Sequence, residues 1–133
     1  MKLIIAGSRR IPSTGLNENS DWQDIDKRSK IREILNGQID IVRTCYAIYE
    51  VVSGTCWGMD QLGEEWAEDN GIKVVYFPAN WTKYGKKAGM FRNAEMARYA
   101  DALVCIYAKG SAGSENMVEL MKQAGKPTYT VEL

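Results

Sequence analysis

One stretch, Asp101 to Met117, constrains what this chain can fold into more than any other. It opens with an apolar run, Ala102-Leu103-Val104-Cys105-Ile106-Tyr107. An uninterrupted run of that length suits a strand buried on both faces, as in parallel sheets covered by helices. A glycine-rich turn follows, Lys109-Gly110-Ser111-Ala112-Gly113-Ser114. Beyond it Met117, Leu120, Met121 and Ala124 keep the i, i+3, i+4, i+7 spacing of one buried helix face. Strand, glycine turn and helix N-terminus together can hold an anion, because free backbone N–H groups converge and the helix dipole adds positive potential. Many α/β proteins carry such turns with nothing bound, so the turn alone leaves both readings open.

The pattern repeats along the chain. Lys2-Leu3-Ile4-Ile5-Ala6 reads as a first buried strand that runs directly into Gly7-Ser8-Arg9-Arg10. Gly7 lets the backbone approach a ligand, Ser8 offers a hydroxyl, and Arg9 can pair with phosphate or carboxylate. The bland reading makes Arg9 and Arg10 solvated loop charges. Residues 11–24 are polar and turn-rich, a surface loop in which Trp22 is either a lid over a ligand mouth or a peripheral packing residue. A helical pattern spans Asp26 to Tyr46, with Gly37 marking a kink or break. Ala47 to Val52 forms the second strand and ends in Ser53-Gly54-Thr55-Cys56-Trp57-Gly58.

Met59 to Asn70 is the next helix, closed by Gly71. Asp60 in its first turn either complements the helix dipole or bonds a ligand hydroxyl. Ile72 to Phe77 is the third strand, stopped by Pro78. The loop from Pro78 to Gly89 sets Trp81 and Tyr84 among Lys83, Lys86 and Lys87. That mixture suits a stacked base near phosphates, and equally an ordinary amphipathic loop. A helix from Met90 to Ala100 leads into the fourth strand, and Thr128 to Leu133 closes the sheet.

Five strands alternating with helices specify an α/β, Rossmann-like three-layer sandwich with a parallel sheet. Right-handed crossovers give the strand order 3-2-1-4-5 and put the first and fourth strands side by side at the switch point, where ligands bind. The Gly7 and Gly110 turns then face each other across one crevice, with the Gly54 turn one strand further along. The length of 133 residues suits a single domain, residues 1–133.

Seventeen basic residues balance seventeen acidic ones. That balance argues against a nucleic-acid partner recruited by bulk charge. No apolar run is long enough to cross a bilayer, and the first residues are too few for a signal peptide, so the expected location is cytoplasmic. Three cysteines without CxxC spacing and no histidine argue against a zinc site or a disulfide framework. No metal and no cofactor are expected. The missing histidine also removes the usual general base near neutral pH.

Several of these features together resemble the SLOG superfamily: Gly7-Ser8-Arg9, Ser53-Gly54-Thr55 with Gly58-Met59-Asp60, Pro78-Ala79-Asn80-Trp81, Arg92-Asn93 with Met96, and the Gly110 to Ser114 turn. More narrowly the chain is similar to its YspA-like branch of single Rossmann-like domains. The resemblance implies binding of a nucleotide or nucleotide-derived, ADP-ribose-like small molecule, as a sensor or sequestering protein. Backbone N–H groups around Gly110, Ser111, Gly113 and Ser114 would then hold phosphate, with Ser8 and Arg9 opposite. Arg92 would add a charge-assisted contact beside Asn93. Asp60 or Thr55 would take ribose hydroxyls, and Trp81 or Tyr84 would cover the base.

The superfamily also contains the LOG phosphoribohydrolases, with an arginine, a methionine four residues on, and a PGGxGTxxE turn. Arg92 and Met96 fit the first part; Gly110, Gly113 and Ser114 fit the turn. Ala108-Lys109 replaces the Pro-Gly lead-in, and Met117 stands where the LOG glutamate would be. A thioether cannot accept a proton, which favours binding without turnover. Glu115 lies about 200° around the helix from Met117 and cannot simply substitute. The alternative is a LOG-type nucleoside 5′-monophosphate phosphoribohydrolase using Asp60 or Glu115. DprA-type DNA-processing proteins share the superfamily, but the balanced charge argues against that role. SLOG relatives are often dimers or larger, so the resemblance also permits a homo-oligomer.

Overall fold

The computed structural model describes residues 1–133. Its sheet has five strands, all parallel: β1 (Lys2–Gly7), β2 (Glu50–Ser53), β3 (Lys73–Tyr76), β4 (Ala102–Tyr107) and β5 (Thr128–Glu132). Their order is β3-β2-β1-β4-β5, the expected arrangement. The helices are α1 (Ile25–Arg43), α2 (Met59–Asp69), the single turn α3 (Trp81–Tyr84), α4 (Ala88–Tyr99) and α5 (Ala112–Gln123).

Alternation along the central strands decides which residues feed which layer. Leu3, Ile5, Val51, Val104 and Ile106 point into one core with α1 and α2. Ile4, Val52, Leu103 and Cys105 point into the other, with Met96 of α4 and Met117 and Met121 of α5. Every core residue of β1 and β4 from Leu3 to Ile5 and from Ala102 to Ile106 is buried, which is why these strands read as unbroken apolar runs rather than alternating ones.

Register sets the geometry at the switch point. Gly7 pairs with Ile106, and a Cβ on Gly7 would lie 1.9 Å from the Ile106 carbonyl oxygen. Only a residue without a side chain lets β1 run this close to β4. The chain then leaves the sheet with the Ser8 amide on the Ile106 carbonyl, 3.2 Å away.

Four local expectations need correction. The second strand begins at Glu50, not Ala47; residues 47–49 are tied instead to the chain start, with the Met1 ammonium on Ala47 O and the Tyr49 amide on Met1 O. Gly37 neither kinks nor breaks α1, because it sits on the exposed side, where its cost is only about 1 kcal/mol. The 78–89 stretch is not a plain loop but holds α3 and a 3₁₀ turn, Gly85–Lys87. Trp22 is no lid: it is 4% exposed, packs in the α1–α2 core, and donates its indole N–H to the Arg9 carbonyl at 2.8 Å.

No helix is long and apolar enough to cross a membrane.

Candidate functional site

The carboxyl ends of β1, β2 and β4 open into a crevice of about 850 Å³. That is within the roughly 300–1,000 Å³ usual for small-molecule sites. Eleven of the fourteen residues singled out from the sequence line it: Gly7, Ser8, Arg9, Gly54, Asp60, Trp81, Arg92, Asn93, Ser111, Gly113 and Ser114. The other three do not. Thr55 is exposed in a left-handed backbone conformation, φ +65°, its amide turned to the Ser53 hydroxyl. Tyr84 packs against Phe91 instead, with ring centroids 4.7 Å apart and the rings tilted at 51°. The Gly110 amide is taken by the Glu115 carboxylate at 3.2 Å.

That last bond settles where Glu115 points: it closes its own turn and lies outside the crevice lining. Met117 does line the crevice. The position that carries a carboxylate in LOG enzymes is therefore apolar here, and Glu115 does not replace it.

One end of the crevice is built by α5. Glu115 is the first residue of that helix whose amide bonds back, to Ser111 O at 2.9 Å. The amides of Ala112, Gly113 and Ser114 have no hydrogen-bond partner within the protein, and all three residues line the crevice. The neighbouring turn is locked: the Ser8 hydroxyl accepts the Ala108 amide at 2.8 Å and is bonded to the Ser111 hydroxyl. So Ser8 and Ser111 fix the two facing turns to each other. Arg9 leaves the same turn with its guanidinium over the Trp57 ring, 5.9 Å from the centroid.

On the β2 side, Arg92 and Asp60 meet above Gly54. A Cβ at Gly54 would lie 2.8 Å from Arg92 Nη1 and 2.9 Å from Asp60 Oδ2. Arg92 donates to the Gly54 carbonyl, to Asn93 Oδ1 at 3.0 Å, and makes a long contact with Cys56 Sγ at 3.8 Å. Its partners are all uncharged, so its positive charge is oriented but not neutralised by them. Asn93 is used up as well: its amide group donates to Gly113 O and to Asn116 Oδ1. It is a strut between α4 and the start of α5, holding Arg92 on one side and the free amides on the other.

Asp60 is 7% exposed, and its Oδ2 accepts the Cys56 amide at 3.0 Å. Burial pushes its carboxyl up to about 6, against the opposing pull of the Cys56 N–H and of Arg92. It is the only acidic residue in the lining, which also carries Arg9, Arg10, Lys86 and Arg92. Four cations less one carboxylate give the crevice a formal charge of +3, on a chain whose net charge is zero. Arg9, Arg10 and Lys86 take part in no salt bridge. No group of three His, Cys, Asp or Glu side chains stands close enough to hold a metal ion.

Sequence reasoning missed Cys56, Trp57 and Asn116 as lining residues, weighed Arg10 only as a loop charge, and grouped Lys86 with Lys83 and Lys87, of which Lys86 alone lines the crevice. The composition of the turns carried a signal for Trp57, which sits between Gly54 and Gly58 at a strand end. Nothing local predicted which way Asn116 faces.

Comparison with known proteins agrees with this picture. A phage protein, the Gene 61 protein of Mycobacterium phage D29, is 32% identical over 126 residues, covering 90% of this chain and 93% of that protein. No solved structure matches. Residues 1–84 match the model of the YspA, cpYpsA-related SLOG family. With the sheet order, the Gly7, Gly54 and Ser111–Ser114 turns in one crevice, and that match over more than half its length, the chain belongs to the SLOG superfamily, in the YspA, cpYpsA-related family.

Proposed function

We propose that residues 1–133 act as one ligand-binding unit that captures a nucleotide or an ADP-ribose-like derivative and does not turn it over. The observation that carries the reading is the +3 crevice on a neutral chain, with three unpartnered amides of α5 at one end. Phosphate oxygens take the Ala112, Gly113 and Ser114 amides, where the helix dipole adds to their attraction. Arg9, Arg10 and Lys86 supply the remaining counter-charge. Asp60, buried beside the crevice with one oxygen committed to Cys56, offers the other to a ribose hydroxyl. Trp81, 58% exposed on the crevice lip, offers a face to a base. Capture without cleavage fits a sensor or a sequestering protein, and Met117 in place of a carboxylate is the reason to expect no cleavage.

The test is a melting-temperature panel of nucleoside mono- and diphosphates, ADP-ribose and dinucleotides. A ligand at a hundredfold excess over its Kd stabilises the fold by about 2.7 kcal/mol. At least one phosphorylated nucleoside should raise the melting temperature, and Arg9→Glu with Lys86→Glu should abolish the rise. A panel that moves nothing sinks the proposal.

Asp60 gives a second reading some weight. A lone buried carboxyl poised near 6 in a phosphate-binding crevice is also what a general acid or base looks like. The corresponding activity is hydrolysis of a nucleoside 5′-monophosphate to base and ribose 5-phosphate. Chromatographic release of base that disappears in Asp60→Asn would establish that reading in place of simple capture.

A further inference from the structure

We propose that residues 78–87 form a lid that closes over the ligand and brings Trp81 and Lys86 down onto it. The inference rests on the binding reading above, and concerns how that site shuts.

The two walls of the crevice are built differently. The β1 wall is immobilised: Ser8 is buried and bonded to Ala108 and Ser111, and the Arg9 backbone is held by the Trp22 indole. The opposite wall has no such anchorage. Every residue from Asn80 to Lys87 is exposed, and neither α3 nor the 3₁₀ turn after it buries a side chain. Yet Trp81 and Lys86 from this segment line the crevice. An indole that faces a ligand cavity and is still 58% exposed is in the arrangement expected of an open state.

The segment is internally coherent, so it would move as one piece. Asn80 caps it, accepting the Lys83 amide at 3.0 Å, and the Tyr84 amide returns to Asn80 O at 3.0 Å. Its contacts with the body are few and lie on α4: Tyr84 on Phe91, and Trp81 against Gly89. Gly85, which caps α3 and opens the 3₁₀ turn, stands at φ +57°, ψ −135°, a backbone conformation that residues with a side chain rarely adopt. It sets the bend between Trp81 and Lys86, the two residues of the segment that line the crevice. Lys83, Lys86 and Lys87 have no acidic partner, so nothing electrostatic ties the lid back. An anionic ligand would draw it inward, and covering Trp81 removes apolar surface from water.

Hydrogen exchange by mass spectrometry on the full chain, with and without ADP-ribose at 5 mM, tests the lid, alongside melting curves on the same samples. In the free protein residues 80–87 should exchange faster than α4. With ligand that exchange should slow at least fivefold, while α1 stays unchanged. Trp81→Ala and Gly85→Ala should each weaken binding at least tenfold; Trp81→Ala should leave the melting temperature of the free protein within about 2 °C, whereas Gly85→Ala, strained at its positive φ, should lower it by a few degrees. A melting shift with unchanged exchange at 80–87 overturns the lid and leaves the binding reading standing. No melting shift with ADP-ribose or any other phosphorylated nucleoside in the panel overturns both. Residues 80–87 exchanging as slowly as α4 in the free protein overturns the lid whatever binds.

Discussion

Asp60 shows how one residue can be set against the fold that carries it. A carboxyl held near 6 in the folded state and near 3.8 in the unfolded chain is charged in both above pH 6, and its burial is then a net cost. Between those two values the folded protein binds the extra proton, so stability falls as pH rises through that window and stays low above it. A difference of about two units is worth at most about 3 kcal/mol. Asp60→Asn keeps an oxygen for the Cys56 amide and removes the charge. The variant should be about 1–2 kcal/mol more stable than the parent at pH 7.5 and no different at pH 4, as read by urea denaturation at both values. It should also bind more weakly. A variant that is less stable at pH 7.5 would show that the carboxylate is a structural member.

At this scale the sequence was only partly legible. Asp60 and Arg92 could be nominated by type and by their place near strand ends. What could not be read was that both converge on Gly54, because that depends on the side chain of α4 reaching across to β2. Thr55, Tyr84 and Gly110 fail for a related reason. Each lies within a residue or a few of a crevice residue, and one bond of local turn geometry is enough to point it elsewhere.

Elements were more legible than residues, because periodicity reports burial and burial is what elements are for. β4 appears where its apolar run predicts, Ala102–Tyr107. The start of β2 was misplaced since Ala47, Ile48 and Tyr49 have strand-like composition but reach only the terminal residue Met1; the strand ladder begins at Glu50, opposite Lys2 and Lys73. α3 was invisible because a single exposed turn has no buried face to leave a pattern.

One element is held from outside in a way its own sequence does not reveal. The Lys126 ammonium donates to the carbonyls of Ala97, Arg98 and Ala100 at 2.6, 3.2 and 2.7 Å, closing the carboxyl end of α4. Charge-assisted bonds to carbonyls at a helix C-terminus are worth about 1–3 kcal/mol together with the dipole. Lys126→Met should lower the stability by that amount, read as a lower denaturation midpoint at an unchanged m-value, and leave ligand affinity within twofold, since no atom of Lys126 lines the crevice. Affinity lost in proportion to stability would mean that α4 is coupled to the site through its far end.

For the whole molecule, the arrangement of charge matters more than its sum. Zero net charge gave no hint of a partner, yet the fold gathers Arg9, Arg10, Lys86 and Arg92 around one crevice from three separate stretches of chain. Long-range attraction to the protein as a whole is absent, while attraction at the crevice is short-ranged and screened over about 10 Å at 0.1 M salt. Raising salt from 0.05 to 0.5 M should therefore weaken binding of a phosphorylated ligand about tenfold and leave its dephosphorylated nucleoside unaffected, by calorimetry. Equal salt dependence for both would locate the contacts on base and sugar. The strand order was readable in advance because right-handed crossovers leave few topologies. The charge cluster was not, because it exists only once those topologies have been folded.

The positions of the three thiols have a practical consequence. Cys105 lies inside β4 with its thiol pushed up to about 12 by burial, and will not react with aqueous thiol reagents. Cys45 is exposed, and Cys56 stands partly open in the crevice wall. The native protein should thus titrate as a two-thiol molecule, and as a one-thiol molecule once the crevice is filled. In a Cys45→Ser background the colour released by a disulfide dye becomes a direct count of empty sites, so the protein carries its own occupancy gauge without any label being engineered in.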